Sequence, residues 1–316
     1  MSNYVLNKAL KLILKIFLIA IILYFVGIQL SNNIDVIKNY QWSIDPLWII
    51  ISIIAHLITL LSFSKVWCFL ISGFGYDVPL KYAFKISYIT NLGRYIPGKI
   101  WPIFGMAYYA KKIKIPEQTA IASWTIAMLF ALPSAFFVVF AGMLIKPGFV
   151  EFLLPDEYKA IFYIFALFTF LTSLILIIKP KTVFKLYNFL LRLLKKSEVN
   201  FKLSPLLALK IFLGYSVCWI FYGISFYFLL KSLGPAIGID IFRPIIIFVL
   251  AYQIGYLAFF APGGIGVREL VLTKGLSPFF GDVAIGVSIV ARIWNLIVEI
   301  ISALIALIIK IDNEKS

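Results

Sequence analysis

The sequence predicts an all-α, polytopic integral membrane protein of about six full spans and two re-entrant hairpins, and three observations carry that prediction. Hydrophobic residues make up 62% of the chain and charged residues only 14%, a balance well beyond what one globular core needs. Apolar runs recur along the whole length, and no polar block between them is long enough to fold alone. Two polar stretches broken by Pro and Gly interrupt this hydrocarbon, one in each half. The chain therefore reads as a single integral membrane domain over residues 1–316, with 1–145 and 146–316 as candidate inverted halves. The net charge of +15 falls on basic residues between the spans, where it sets topology and attracts anionic lipid head groups rather than nucleic acid.

Lys8, Lys11 and Lys15 precede an apolar run through Ile28, as in a secretory leader. The run is long and no small-residue cleavage pattern follows, so it predicts an uncleaved first span at about 12 to 30. Asp35, Lys38 and Asp45 mark an aqueous loop, with Tyr40, Trp42 and Trp48 as interfacial aromatics. The second span covers about 47 to 71. Residues 83 to 110 are too interrupted for a plain span and too apolar for a loop, which predicts a re-entrant hairpin returning to Lys111, Lys112 and Lys114. A third span follows at about 118 to 145 and a fourth at about 159 to 178, separated by a loop with Glu151, Asp156 and Glu157.

Next comes the densest basic stretch. Lys181, Lys185, Asn188, Arg192 and Lys196 share one helical face while Val183, Leu186, Leu190 and Leu193 share another, which predicts an interfacial amphipathic helix over about 180 to 202. The fifth span, about 206 to 230, contains Gly214 and Gly223, small residues that admit a close neighbour. The second broken region, 241 to 275, mirrors the first. The last span, about 283 to 310, puts Arg292, Asn295 and Glu299 on one side of a helix. The lysine bias places the N-terminus in the cytoplasm, with the two hairpins entering from opposite sides. If the second broken region spans instead, the last helix reverses.

The broken stretches are Asn91-Leu-Gly-Arg-Tyr-Ile-Pro-Gly-Lys-Ile-Trp101 and Phe260-Ala-Pro-Gly-Gly-Ile-Gly-Val-Arg-Glu269. Ionisable residues and irregular backbone at membrane depth survive only where they line a cavity or pack inside protein, so these stretches are the candidate site. A buried guanidinium suits a lipid phosphate because its fork matches two oxyanion oxygens. Arg94 fits that role, with Lys99 as a second charge and the backbone N–H groups near Gly98 as further donors. The other reading of Arg94 is an ion pair that locks the hairpin, and Lys99 has a stem long enough to snorkel. In the second stretch Gly263 and Gly264 permit close backbone approach. Arg268 and Glu269 either contact substrate or pair with Glu299 or Arg292 of the last span. Gln253 and Asn295 either line the same cavity or join helices by hydrogen bonds.

The segments Leu92-Gly-Arg-Tyr-Ile-Pro-Gly-Lys-Ile-Trp101 and Ala261-Pro-Gly-Gly-Ile-Gly-Val-Arg-Glu269 resemble the transmembrane region of the lysylphosphatidylglycerol synthase family, the lipid-flipping part of the multiple peptide resistance factor and its stand-alone relatives. The resemblance implies a bacterial inner-membrane protein that moves a lipid with a charged head group between leaflets. Anionic or aminoacylated phospholipid and polyprenyl-phosphate-linked lipid all fall within that class. The chain lacks the soluble aminoacyl-transferase domain of the full-length synthases, so lysyl transfer is not expected. An envelope-biosynthesis enzyme is an expected partner.

Nothing in the sequence forms a catalytic constellation: there are no paired aspartates, no His-Asp dyad and no nucleotide-binding loop. Cys68, Cys218 and the single His56 lie within apolar spans and make neither a disulfide framework nor a metal pattern, and no cofactor is implied. His56 reads as core, with proton coupling as the other reading. The expected function is thus a flippase or scramblase for a phosphate-bearing lipid. A membrane-embedded transferase or an accessory subunit of envelope lipid or polysaccharide synthesis is the alternative.

Overall fold

The computed structural model describes residue 31 and residues 34–39, 42–95, 101–146, 148, 156–193, 198–234, 239–258 and 261–311. The first expected span, about 12 to 30, lies outside them, as do Gly98 and Lys99. Among the described residues every regular element is a helix. After a short α1 (Ile34–Asn39) come α2 (Pro46–Ser72), α3 (Leu80–Asn91), α4 (Trp101–Lys112) and α5 (Glu117–Ile145). The second half holds α6 (Asp156–Ile178), α7 (Pro180–Leu193), α8 (Pro205–Ser232), α9 (Phe242–Leu257), α10 (Val267–Phe280) and α11 (Ala284–Ile308). Among the described residues five long apolar segments, in α2, α5, α6, α8 and the α10–α11 stretch, are long enough to cross a bilayer, and the chain is a multi-pass helical membrane protein.

Local chemistry starts the two central helices in the same way. Asp45 accepts a hydrogen bond from the Leu47 N–H (2.9 Å) ahead of Pro46, and Ser204 accepts one from the Leu207 N–H (3.1 Å) ahead of Pro205. α2 and α8 then pack along one another through most of their length. Each is followed by a helix–break–helix unit, α3–α4 or α9–α10, whose arms lie against each other. The α5 helix packs on α9, and α11 packs on α3, so the last long helix of each half braces the first arm of the other half's hairpin.

The α9 arm is apolar all round because it is surrounded by protein. Three consecutive isoleucines sit against glycines of three different helices: Ile245 against Gly223 of α8, Ile246 against Gly142 of α5, and Ile247 against Gly275 of α10. A Cβ at Gly223 would lie 2.5 Å from the Ile245 Cα, so that contact requires glycine. The α3 arm carries a buried Lys85 whose ammonium donates to the Ile309 carbonyl (2.5 Å), placing a cation at the C-terminal end of α11.

The amphipathic segment is shorter than the residue pattern suggests. The described part of α7 ends at Leu193, and residues 198–204 have no helical structure. Asn188 binds that segment by donating to the Val199 carbonyl and accepting from the Val199 N–H, both at 3.2 Å. Lys181, Lys185 and Arg192 on this helix are exposed.

At the opening of α9, Asp240 accepts from the N–H groups of Phe242 (2.9 Å) and Arg243 (3.2 Å) and pairs with Lys146 (3.2 Å) at the end of α5. Partial burial raises this carboxyl, but the Arg243 N–H, the Lys146 side chain and the Phe242 N–H outweigh it and hold it below the ordinary carboxylate range. A depressed folded-state value stabilises the fold above the unfolded-state value and loses that contribution as pH falls through the folded one. Thermal unfolding should therefore be insensitive to this group above about pH 5 and weaken below about pH 4. Asp240→Asn should flatten that acid limb.

Candidate functional site

The described part of each break holds a 3-10 turn, Leu92–Tyr95 in the first and Pro262–Gly264 in the second, and the two turns touch. In the second, Gly263 (φ 59°) and Gly264 (φ 72°) occupy the left-handed region that side chains avoid. Gly264 also approaches α9 so closely that a Cβ there would lie 2.9 Å from the Gly255 carbonyl oxygen. Gly255 in turn faces the Cβ of Arg268, so two backbones in contact set the position of that guanidinium. Gly264→Ala should cost about 1–3 kcal/mol in thermal unfolding and displace Arg268 from α9.

Arg268 lies buried with its guanidinium over two rings, 4.8 Å from the Phe248 centroid and 4.9 Å from that of Tyr252. Its Nη2 has no hydrogen-bond partner, and among the described residues no carboxylate pairs with it. The neighbouring charges are matched. Arg94 pairs with Glu299 and donates to the Tyr252 hydroxyl (3.0 Å). Asn295 donates to the same Glu299 oxygen and accepts from the Tyr222 hydroxyl. Glu269 accepts from Arg292 (2.7 Å) with one oxygen and from the Gly266 N–H (2.7 Å) with the other, closing the first turn of α10. Among the described residues, three guanidiniums against two carboxylates leave one positive charge over, and it sits on Arg268.

These groups border a cavity of about 270 Å³ between the hairpin tips, α2, α5 and α8. Of the residues singled out in the sequence, Arg94, Arg268, Glu299, Gln253 and Gly263 line it. Glu269, Arg292, Asn295 and Gly264 stand behind the lining and hold it. The Nε2 of buried Gln253 has no partner, which makes a second unmet donor beside Arg268 Nη2. The rest of the wall is largely aromatic, including Trp67, Tyr88, Trp124, Trp219 and Tyr256. Four of these are fixed by hydrogen bonds they donate: Trp67 to the Ser123 hydroxyl (3.2 Å), Tyr88 to the Leu60 carbonyl (2.7 Å), Trp219 to the Ala131 carbonyl (2.9 Å) and Tyr256 to the Met128 sulfur (3.0 Å).

The aromatic wall was hidden in sequence, where tryptophans in spans read as packing or belt residues. The available signal was spacing: Tyr215, Trp219 and Tyr222 follow offsets of four and three on α8, as Tyr252 and Tyr256 do at four on α9. His56 is fully buried between the rings of Tyr222 (4.8 Å) and Trp294 (4.6 Å), with neither ring nitrogen bonded. It does not line the cavity.

The model of the family described as Lysylphosphatidylglycerol synthase TM region matches residues 12–303. The chain belongs to that family. For this lysylphosphatidylglycerol synthase transmembrane-region protein, the matched stretch runs from the first expected span into α11 and takes in both hairpins and every charge of the buried cluster. Membership ties the chain to a membrane lipid-related function. No curated protein and no solved structure compared with the chain gives a match.

Proposed function

We propose that this protein moves a phosphate-bearing lipid head group between the leaflets of the inner membrane. The head group enters the cavity between the hairpin tips while the hydrocarbon tails stay in the bilayer. The observation that carries this reading is Arg268, a buried guanidinium in the cavity wall with no carboxylate among the described residues to neutralise it. A buried cation without a counter-ion is costly, and an anionic ligand removes that cost. Arg94 and the α10 N-terminus lie near enough to add donors to the same oxyanion. In this reading the two halves are inverted repeats of helix, hairpin and helix, the N-terminus is cytoplasmic, and an envelope-biosynthesis enzyme supplies or consumes the lipid.

The transferase alternative draws less support from the geometry. Glu299 is the one carboxylate among the described lining residues, and Arg94 and Asn295 both engage it, which leaves it poorly placed as a base.

The test is leaflet exchange of labelled lipids in proteoliposomes, using phosphatidylglycerol, its lysyl ester and a polyprenyl phosphate against protein-free vesicles. Protein-dependent exchange of at least one of them is expected. Exchange no faster than in empty vesicles for all three would remove the transport reading.

A further inference from the structure

The described wall of the cavity offers donors and positive charge but no uncommitted carboxylate for a cation, and we propose that it takes net-anionic head groups and discriminates against aminoacylated, ammonium-bearing ones. This inference rests on the lipid reading above and narrows its substrate class. It also sets this chain apart from the lysylated lipid named in its family's description.

Three features of the wall carry it. Arg268 supplies a positive charge that no described carboxylate cancels, and its Nη2 is an unmet donor. Gln253 supplies a second unmet donor from α9, one helix face away from the rings that hold Arg268. Glu299, the one carboxylate among the described lining residues, is already engaged by Arg94 and Asn295. An incoming phosphate brings acceptors to both unmet donors and cancels the surplus charge. An incoming ammonium brings further donors and a second positive charge. To receive it, Glu299 would have to leave Arg94, exchanging one stranded cation for another. Ring faces are the remaining resource for a cation; Arg268 covers those of Phe248 and Tyr252, and an ammonium on the other rings of the wall shares the cavity with its uncancelled charge. Selectivity therefore comes as much from what the wall withholds from an ammonium as from what it gives a phosphate.

The Arg94–Glu299 pair refines the idea. Glu299 serves as the resident anion of Arg94. A head group that reaches Arg268 competes with that carboxylate for the second guanidinium, so removing the carboxylate should help an anionic lipid and should not help a cationic one.

The experiment is a binding titration of the full chain in phosphatidylcholine nanodiscs. Intrinsic fluorescence reports it, since Trp67, Trp124 and Trp219 line the cavity. The two probes are short-chain phosphatidylglycerol and its lysyl ester. The wild-type protein should bind phosphatidylglycerol at least tenfold more tightly. Glu299→Gln should tighten phosphatidylglycerol binding severalfold and leave the lysyl ester weak. Equal or tighter binding of the lysyl ester by wild type overturns the proposal, as does failure of both probes to bind. Loss of lysyl-ester binding in Glu299→Gln with phosphatidylglycerol unaffected also overturns it, by making Glu299 the ammonium receptor. Selective anion binding without leaflet exchange would remove the transport reading and keep this one. Equal exchange of both lipids would do the reverse.

Discussion

Arg268→Gln should abolish protein-dependent lipid exchange while leaving the protein at least as stable as wild type. The two halves of that result have one cause. Arg268 is buried against Phe248 and Tyr252 with no ion-pair partner among the described residues, so the fold bears the cost of a desolvated charge. Removing the charge relieves that cost, and the loss of ring stacking is a smaller opposing effect. The bound state loses a charge-assisted hydrogen bond, worth about 1.5–3 kcal/mol or roughly 10- to 150-fold in affinity. Arg268→Lys keeps the charge but neither the planar fork nor its stacking, so partial exchange is expected. A purely structural Arg268 predicts the opposite: unfolding at lower temperature in detergent, with exchange falling only in step with folded protein. Measuring thermal unfolding and exchange on the same preparations separates the two.

This assignment differs from the weight that the sequence places on Arg94, and the reason is pairwise. Hydropathy and lysine bias are properties of single segments, so the apolar helices were legible: α2 begins at Pro46 and ends at Ser72 against an expected 47 to 71, and α11 spans Ala284–Ile308 against 283 to 310. The broken hairpins were legible for the same reason, since Pro and Gly punctuate locally. Which carboxylate meets which guanidinium depends on how the two halves dock. Arg94 and Glu299 are 205 residues apart, and nothing within the first stretch identifies that partner. Of the pairings open to the second stretch, Glu269 takes Arg292, and among the described residues Arg268 is left without a carboxylate. The end of α7 failed to show for a related reason. The residue pattern predicts helix to about 202, but residues 198–204 are not helical, and a side chain of the helix itself, Asn188, binds Val199. Long-range pairing overrides periodicity in both places.

The Glu269–Arg292 pair should be the most sensitive point of the fold. Both side chains are buried, and Glu269 does two jobs: it neutralises Arg292 with one oxygen and satisfies the Gly266 N–H with the other. Glu269→Ala therefore strands a guanidinium and opens the first turn of α10 at once. Breaking a buried pair from one side costs about 3–5 kcal/mol, and the lost cap adds about 1 kcal/mol. Glu299→Ala should cost less, because its partner Arg94 keeps 18% of its side chain exposed toward the cavity and retains the Tyr252 hydroxyl. The ordering tests the division of labour within the cluster. Thermal unfolding should fall most in Glu269→Ala, less in Glu299→Ala, and not at all in Arg268→Gln. The double variant Glu269→Ala, Arg292→Leu should recover most of the loss, since no charge remains to strand. If instead the double variant stays as unstable as Glu269→Ala, the cap on α10 rather than the ion pair holds the second hairpin. In that case Arg268 is positioned through the Gly266 N–H, and Glu269→Gln, which keeps the acceptor while giving up the charge, becomes the variant that should restore exchange.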